Sequence, residues 1–196
     1  MILASASPRR RRLLREAGII FRVHPAGIRE INSLLRGRGR LLKPREIVLQ
    51  NARLKALTVA RRFPRHWVLG ADTVVVLEKK LFGKPSTLHE AETMLNCLND
   101  RTHRVITAFC LCRGKTNRFL GAVTSQVTFK RLTHRQIRTY LRLINPLDKA
   151  GAYAAQEHGE HVIRKVKGSW SNVVGLPMER LLRELKNLKP PLAKAS

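Results

Sequence analysis

The chain contains three aspartates, Asp72, Asp100 and Asp148. The first lies inside the apolar, β-branched run 67–77 (WVLGADTVVVL). A carboxylate in such surroundings must be paired, hydrogen-bonded or metal-bound, because leaving it alone costs several kcal/mol. Asp72 therefore reads as a metal ligand or general base, since functional sites concentrate perturbed groups of this kind. The alternative is a structural Asp accepting backbone hydrogen bonds from a turn at Gly70. Arg9 and Arg10 follow the loop Ser5-Ala6-Ser7-Pro8, in the first turn of an expected helix. Cations suit a helix N-terminus poorly, because the macrodipole there is already positive, unless an anion sits between them. Loop amides, helix end and the two guanidinium groups together make a phosphate cradle. In a chain this rich in arginine, ordinary surface placement is the competing reading.

Lys84, in Gly-Lys-Pro, follows the strand of Asp72 closely enough for a hairpin or loop to carry it back beside that carboxylate. Lys55 falls near the apolar side of the helical stretch 45–62. Each alone reads as a solvated lysine, but with the arginines they supply the countercharge a triphosphate needs. After the turn Asp148-Lys149-Ala150-Gly151 comes Gln156, whose amide both donates and accepts and so is a candidate for reading a pyrimidine edge. The histidines show no HExxH or paired spacing and no GxSxG occurs, which leaves zinc- and serine-hydrolase chemistry without support. The absence of GxxxxGK[ST] excludes a P-loop. Cys97, Cys110 and Cys112 lack CxxC spacing and read as reduced core thiols.

The elements that must position these groups alternate between strand and helix. Residues 1–4 read as a strand. Ser7 suits the N-cap and Pro8 the first turn of a helix that buries Leu13, Leu14 and Ala17 and stops at Gly18. Residues 31–45 read as a mobile loop. A helix from about Arg45 to Arg62 has the apolar face Ile47, Val48, Ala52, Ala56, Val59 and Ala60. After the central strand 67–77, Thr87 and Glu90 stand at capping-box spacing ahead of a helix containing Ala91, Met94, Leu95 and Leu98. Strands follow at 103–112 and 122–130, then a helix from near Thr133 ending before Pro146, and a strand at 161–167. Pro177 opens a last helix with Met178, Leu181, Leu182, Leu185 and Leu188 on one face. The expectation is one α/β domain over 1–188, a mixed twisted sheet flanked by helices, with a disordered basic tail at 189–196.

Charge is the unusual feature of the composition: 39 Lys and Arg against 13 Asp and Glu give a formal +26. Polyanions are natural partners for such a surface, and non-specific nucleic-acid binding would follow from phosphate contacts alone. The basic residues are spread along the chain, however, and aromatics for base stacking amount to 5%, which weighs against a dedicated nucleic-acid module. No signal-peptide core or membrane span is visible, and a cytoplasmic location is expected.

Five strings can now be read jointly: ASASPRR at 4–10, GADTVV at 70–75, GKP at 83–85, DKAGAYAAQ at 148–156 and NVVGLP at 172–177. In order, wording and spacing, from about Ile2 to about Leu188, they resemble the Maf family of nucleoside triphosphate pyrophosphatases. The resemblance implies an inosine-triphosphatase-like α/β fold, a homodimer, and a nucleotide in a deep cleft. It also implies a divalent cation, Mg²⁺ or Mn²⁺, held by Asp72 and Glu30, with Asp72 as catalytic base. Ser5, Ser7, Arg10, Lys55 and Lys84 would hold the phosphates. Arg9, Thr73 and Gln156 match the dTTP/UTP group, whereas the 7-methyl-GTP group carries Trp in place of the first Arg. One departure stands out: Glu30 is flanked by Arg29 and Ile31 where the family often has a second acid. Two other readings are a basic nucleic-acid-binding protein without catalysis and a protein acting mainly in division or septum control.

Overall fold

Hydrophobic alternation and helical periodicity place most elements where the computed structural model has them. It describes residues 1–31 and 42–188, so most of the expected 31–45 loop and all of the 189–196 tail lie outside the described residues. The strands are β1 (Ile2–Leu3), β2 (Arg22–Val23), β3 (Trp67–Leu77), β4 (Lys80–Phe82), β5 (Thr102–Arg113), β6 (Thr116–Phe129) and β7 (Ile163–Lys167). The helices are α1 (Pro8–Glu16), α2 (Pro44–Arg62), α3 (Leu88–Leu98), α4 (His134–Leu143), α5 (Trp170–Val174) and α6 (Met178–Lys186). The strands form one mixed sheet in the order β2-β1-β3-β5-β6-β7, with β4 also paired to β3. β1 runs parallel to β2 and β3, and the remaining pairs are antiparallel. The expected α/β class with a mixed, helix-flanked sheet is what the molecule has.

The period-2 alternation of β3 decides what each helix covers. Val68, Val74 and Val76 pack with Val48, Ala52, Ala56, Val59 and Ala60 of α2 on one face. Leu69 and Ala71 face the other way, against Leu13 and Leu14 of α1 and Met178 and Leu181 of α6. Farther along that face, Val75 and Leu77 meet α3 and α4. Gly70 lets α2 sit this close, since a Cβ there would lie 2.3 Å from the Ala52 carbonyl oxygen and 2.6 Å from the Ala56 nitrogen.

Some expectations are corrected. Ala17 is exposed and caps α1 instead of packing inward. Pro44 opens α2 and belongs to no loop. Leu182 lies at the edge of the α6 stripe and is 38% exposed, while Leu188 is buried just beyond the helix. β6 begins at Thr116, earlier than the 122 expected. β4 and α5, of three and five residues, are additions; elements this short carry too few side chains for periodicity to register.

Candidate active site

A gap in the sheet makes the site. β1 pairs with β3 only as far as Leu69, and β4 joins β3 only from Val75, so β3 has neither of these neighbours at Ala71–Val74. The cavity at that gap, about 740 Å³, is lined among others by Ser5, Ser7, Arg9, Arg10, Arg29, Glu30, Asn51, Lys55, Asp72, Thr73, Lys84, Asp148 and Lys149. That volume is typical of small-molecule sites. Six cationic and three anionic side chains line it, so its net charge favours an anionic occupant.

Asp72 is on the α2 face, 5% exposed. Its Oδ1 lies 2.7 Å from Lys55 Nζ, and its Oδ2 accepts from Asn51 Nδ2 at 2.9 Å. Gly70 is paired mid-strand with Cys110, so no turn exists there to satisfy Asp72, and the purely backbone-bonded reading fails. The Lys55 ammonium also contacts Glu30 Oε1 at 2.8 Å and donates to the Ala71 carbonyl at 3.4 Å. Two carboxylates from distant segments thus converge on one cation.

Glu30 is placed by Asn51. Its Oδ1 accepts from the Ile31 amide and its Nδ2 donates to the Ile31 carbonyl, both at 2.9 Å. Burial alone would raise the Glu30 carboxyl. Lys55, by charge and hydrogen bond, with Lys84 and Arg10, outweighs that and holds it below the ordinary 4.5.

Thr73 faces the opposite side, toward α1. Arg10 Nη2 donates to its hydroxyl at 3.0 Å, and that hydroxyl pairs with Thr107 Oγ1 at 3.0 Å. Thr107 donates its one proton to the Asn172 carbonyl at 3.0 Å, so Thr73 is the donor to Thr107. Arg10 also bonds Ser5 Oγ, the Ala71 carbonyl and the Gly175 carbonyl at 2.9, 3.0 and 2.8 Å. Four of its five N–H groups are therefore committed, leaving one Nη2 proton for a ligand. Its burial lowers the guanidinium below its usual range, against the opposing pull of Asp72. Ser7 caps α1, accepting from the Arg10 amide at 3.5 Å, and its own amide donates to Ser5 Oγ at 3.3 Å.

The anion beside Arg9 proves to be the protein's own. Its Nη1 and Nη2 donate to Asp148 Oδ2 and the Asp148 carbonyl at 3.0 and 2.9 Å. Buried Lys149 donates to Asp148 Oδ1 and the Asn145 carbonyl at 2.9 and 2.8 Å and pairs with the Glu157 carboxylate at 3.1 Å. The β3–β4 hairpin returns Lys84 to the cavity, and Gly83 accepts a hydrogen bond from the Gly151 amide at 2.9 Å, joining the GKP and DKAG segments. Lys84 is exposed, with no hydrogen-bond partner among the described residues. Gln156 stands apart: it is half-buried and does not line the cavity, so reading a base edge directly from this position is not supported.

Sequence reasoning missed Asn51, Thr107 and the Lys149–Glu157 pair. Asn51 had a signal, since it stands four residues before Lys55 within the inward stripe of α2, where an amide is out of place. The other two sit in ordinary contexts and are recruited by the fold.

A family model described as Maf-like protein matches residues 1–188. The dTTP/UTP pyrophosphatase of Akkermansia muciniphila is 43% identical over 188 residues, covering 96% of each chain. The protein of the same name from Halalkalibacterium halodurans is 41% identical over 187 residues, 95% of this chain and 94% of the relative. That from Cytophaga hutchinsonii is 39% identical over 192 residues, 97% of this chain and 85% of the relative. A family match across the length that carries the sheet gap and its converging carboxylates, with relatives this similar end to end, means that the chain belongs to the Maf family.

Proposed function

We propose that the cleft hydrolyses dTTP and UTP, and by the same chemistry related pyrimidine triphosphates, to the monophosphate and pyrophosphate, clearing nucleotide pools in the cytoplasm. The observation that carries this reading is the meeting of Asp72 and Glu30 at one cation position in a cavity rimmed by Arg9, Arg10 and Lys84. It is strengthened by relatives near 40% identity that are named dTTP/UTP pyrophosphatases. None of the described helices is long and apolar enough to cross a membrane.

The two carboxylates fit a hard divalent ion: Asp72 and Glu30 both bring oxygen donors to one part of the cleft, within 2.8 Å of the Lys55 ammonium, and Mg²⁺ characteristically takes one or two carboxylates plus phosphate oxygens. Asp72 and Glu30 would hold Mg²⁺ or Mn²⁺, which when bound neutralises phosphate charge. The rest falls to the chain. Lys55 and Lys84 balance the phosphates, while the Ser5–Ser7 loop and α1 face them. Arg10 contributes a fixed charge and locks the loop to β3, having one donor to spare. Asp72 orients a water and takes its proton. The water oxygen bonds to the α-phosphorus as the α–β bridging P–O bond breaks and pyrophosphate departs. Arg9 and Thr73 are the residues we assign to base preference.

Residues 1–188 act as one domain in this reading, and the working unit is a homodimer, which light scattering measures. Pyrophosphate release across normal and modified triphosphates with Mg²⁺ and Mn²⁺ tests the function: dTTP and UTP should lead, and no release from any triphosphate would refute it. The +26 charge favours one second reading, nucleic-acid binding without turnover. Tight, steeply salt-dependent RNA binding with no pyrophosphate release would support it.

A further inference from the structure

Outside the cleft, the chain turns sharply at His158-Gly159-Glu160-His161. His158 adopts left-handed backbone geometry, φ 56°, and the next three residues form a single 3₁₀ turn. The turn is tied at several points. His161 N–H donates to the His158 carbonyl and Val162 N–H to the Gly159 carbonyl, both at 3.1 Å, while the Lys130 amide holds the Val162 carbonyl at 2.8 Å. Lys130 Nζ donates to the Glu160 carbonyl at 2.6 Å. Gly159 is pressed so near Ala154 that a Cβ would lie 3.1 Å from that carbonyl oxygen. The backbone thus fixes the directions in which three ligand-bearing side chains leave it.

Their tips converge. His158 Nδ1 and His161 Nε2 lie 3.9 and 3.5 Å from Glu160 Oε1, and one ligand atom from each of the three falls within 4.8 Å of the others. Donors on a tetrahedral ion with bonds of about 2.0–2.1 Å are separated by about 3.4 Å, close to the two separations from Glu160. In a chain with 39 Lys and Arg, the Glu160 carboxylate has no Lys or Arg ion pair among the described residues: the Lys130 ammonium is committed to the Glu160 carbonyl, and the carboxylate's partners are two imidazoles. Side-chain exposures of 48, 54 and 73% for His158, His161 and Glu160 leave room for water to complete coordination.

We propose that His158, Glu160 and His161 form a cation site separate from the cleft. It is selective for borderline divalent ions that favour imidazole nitrogen, such as Zn²⁺ or Ni²⁺, over Mg²⁺. The sequence reading found no paired histidine spacing. These two are three apart, a separation that matters here because the left-handed residue and the tight turn bring their rings to 5.9 Å.

The test is calorimetric titration of Ni²⁺ into the full chain, without a histidine tag, in excess Mg²⁺ that fills the hard-oxygen position. One Ni²⁺ per chain should bind. His158→Ala and His161→Ala should each weaken it at least about tenfold, while pyrophosphate release with Mg²⁺ and the melting temperature stay unchanged. No Ni²⁺ uptake, or uptake that survives the double replacement, would overturn the site. Because catalysis is read separately, failure here is distinguishable from failure of the proposed function.

Discussion

Asn51 spends its amide on three partners at once, clasping the backbone of Ile31 through both its oxygen and its nitrogen while donating to Asp72. It fixes the distance between the two carboxylates without needing to touch substrate. Asn51→Ala should cost about ten- to a hundredfold in turnover or in apparent Mg²⁺ affinity, as losing an outer-shell partner does. A Mg²⁺ titration of the rate shifted to higher concentration is the expected signature; an unmoved titration would contradict the positioning role. Glu30 gives a pH prediction. Its folded-state pKa is lowered, so its contribution to stability is complete above the ordinary 4.5 and fades as pH falls from there through the lower native value. Glu30→Gln should flatten that part of the acid-unfolding curve, and an identical acid limb in the two proteins would refute the assignment. At this scale much was legible. Asp72 was conspicuous because a carboxylate in an apolar strand demands partners, and Lys55 because it borders an apolar stripe. Arg9–Asp148 was not, because its members are 139 positions apart and only the topology introduces them.

β3 and α2 hold the site as a unit, and their close approach at Gly70 is the point most sensitive to change. Gly70→Ala would push a methyl group against backbone atoms of Ala52 and Ala56, which cannot retreat without moving the helix. We expect a loss of about 1–3 kcal/mol in denaturant unfolding together with a fall in turnover, because Asn51 and Lys55 would shift away from Asp72. Wild-type values for both would show that helix placement does not govern the site. β5 supplies a second test. Buried His103, bonded to Tyr153 at 2.9 Å, has its imidazole pushed down to about 4 by desolvation. Between pH 6.5 and about 4 the unfolded chain therefore binds the proton that the native one refuses, and stability should fall with pH by up to about 3 kcal/mol. In His103→Asn that slope should vanish, and its persistence would place the acid sensitivity elsewhere. β3 and the inward face of α2 were legible because each repeats one pattern over many residues. The left-handed turn at His158 and the gap between β1 and β4 were not, since both arise from how short segments end.

Across the whole molecule, charge is the feature with physical reach beyond the site. A chain of net charge +26 should attract a polyanionic substrate from a distance, an effect that salt screens. The value of kcat/KM for dTTP should thus fall several-fold from low to high ionic strength while kcat holds, and a salt-independent kcat/KM would show that the surface charge does no steering. The proposed chemistry turns on one carboxylate. The most direct measurement is the rate of pyrophosphate release from dTTP and UTP by Asp72→Asn, beside wild type, at saturating Mg²⁺. The predicted result is a drop in kcat of at least about a hundredfold with the fold intact by circular dichroism. Turnover equal to wild type in a folded Asp72→Asn protein would contradict the account.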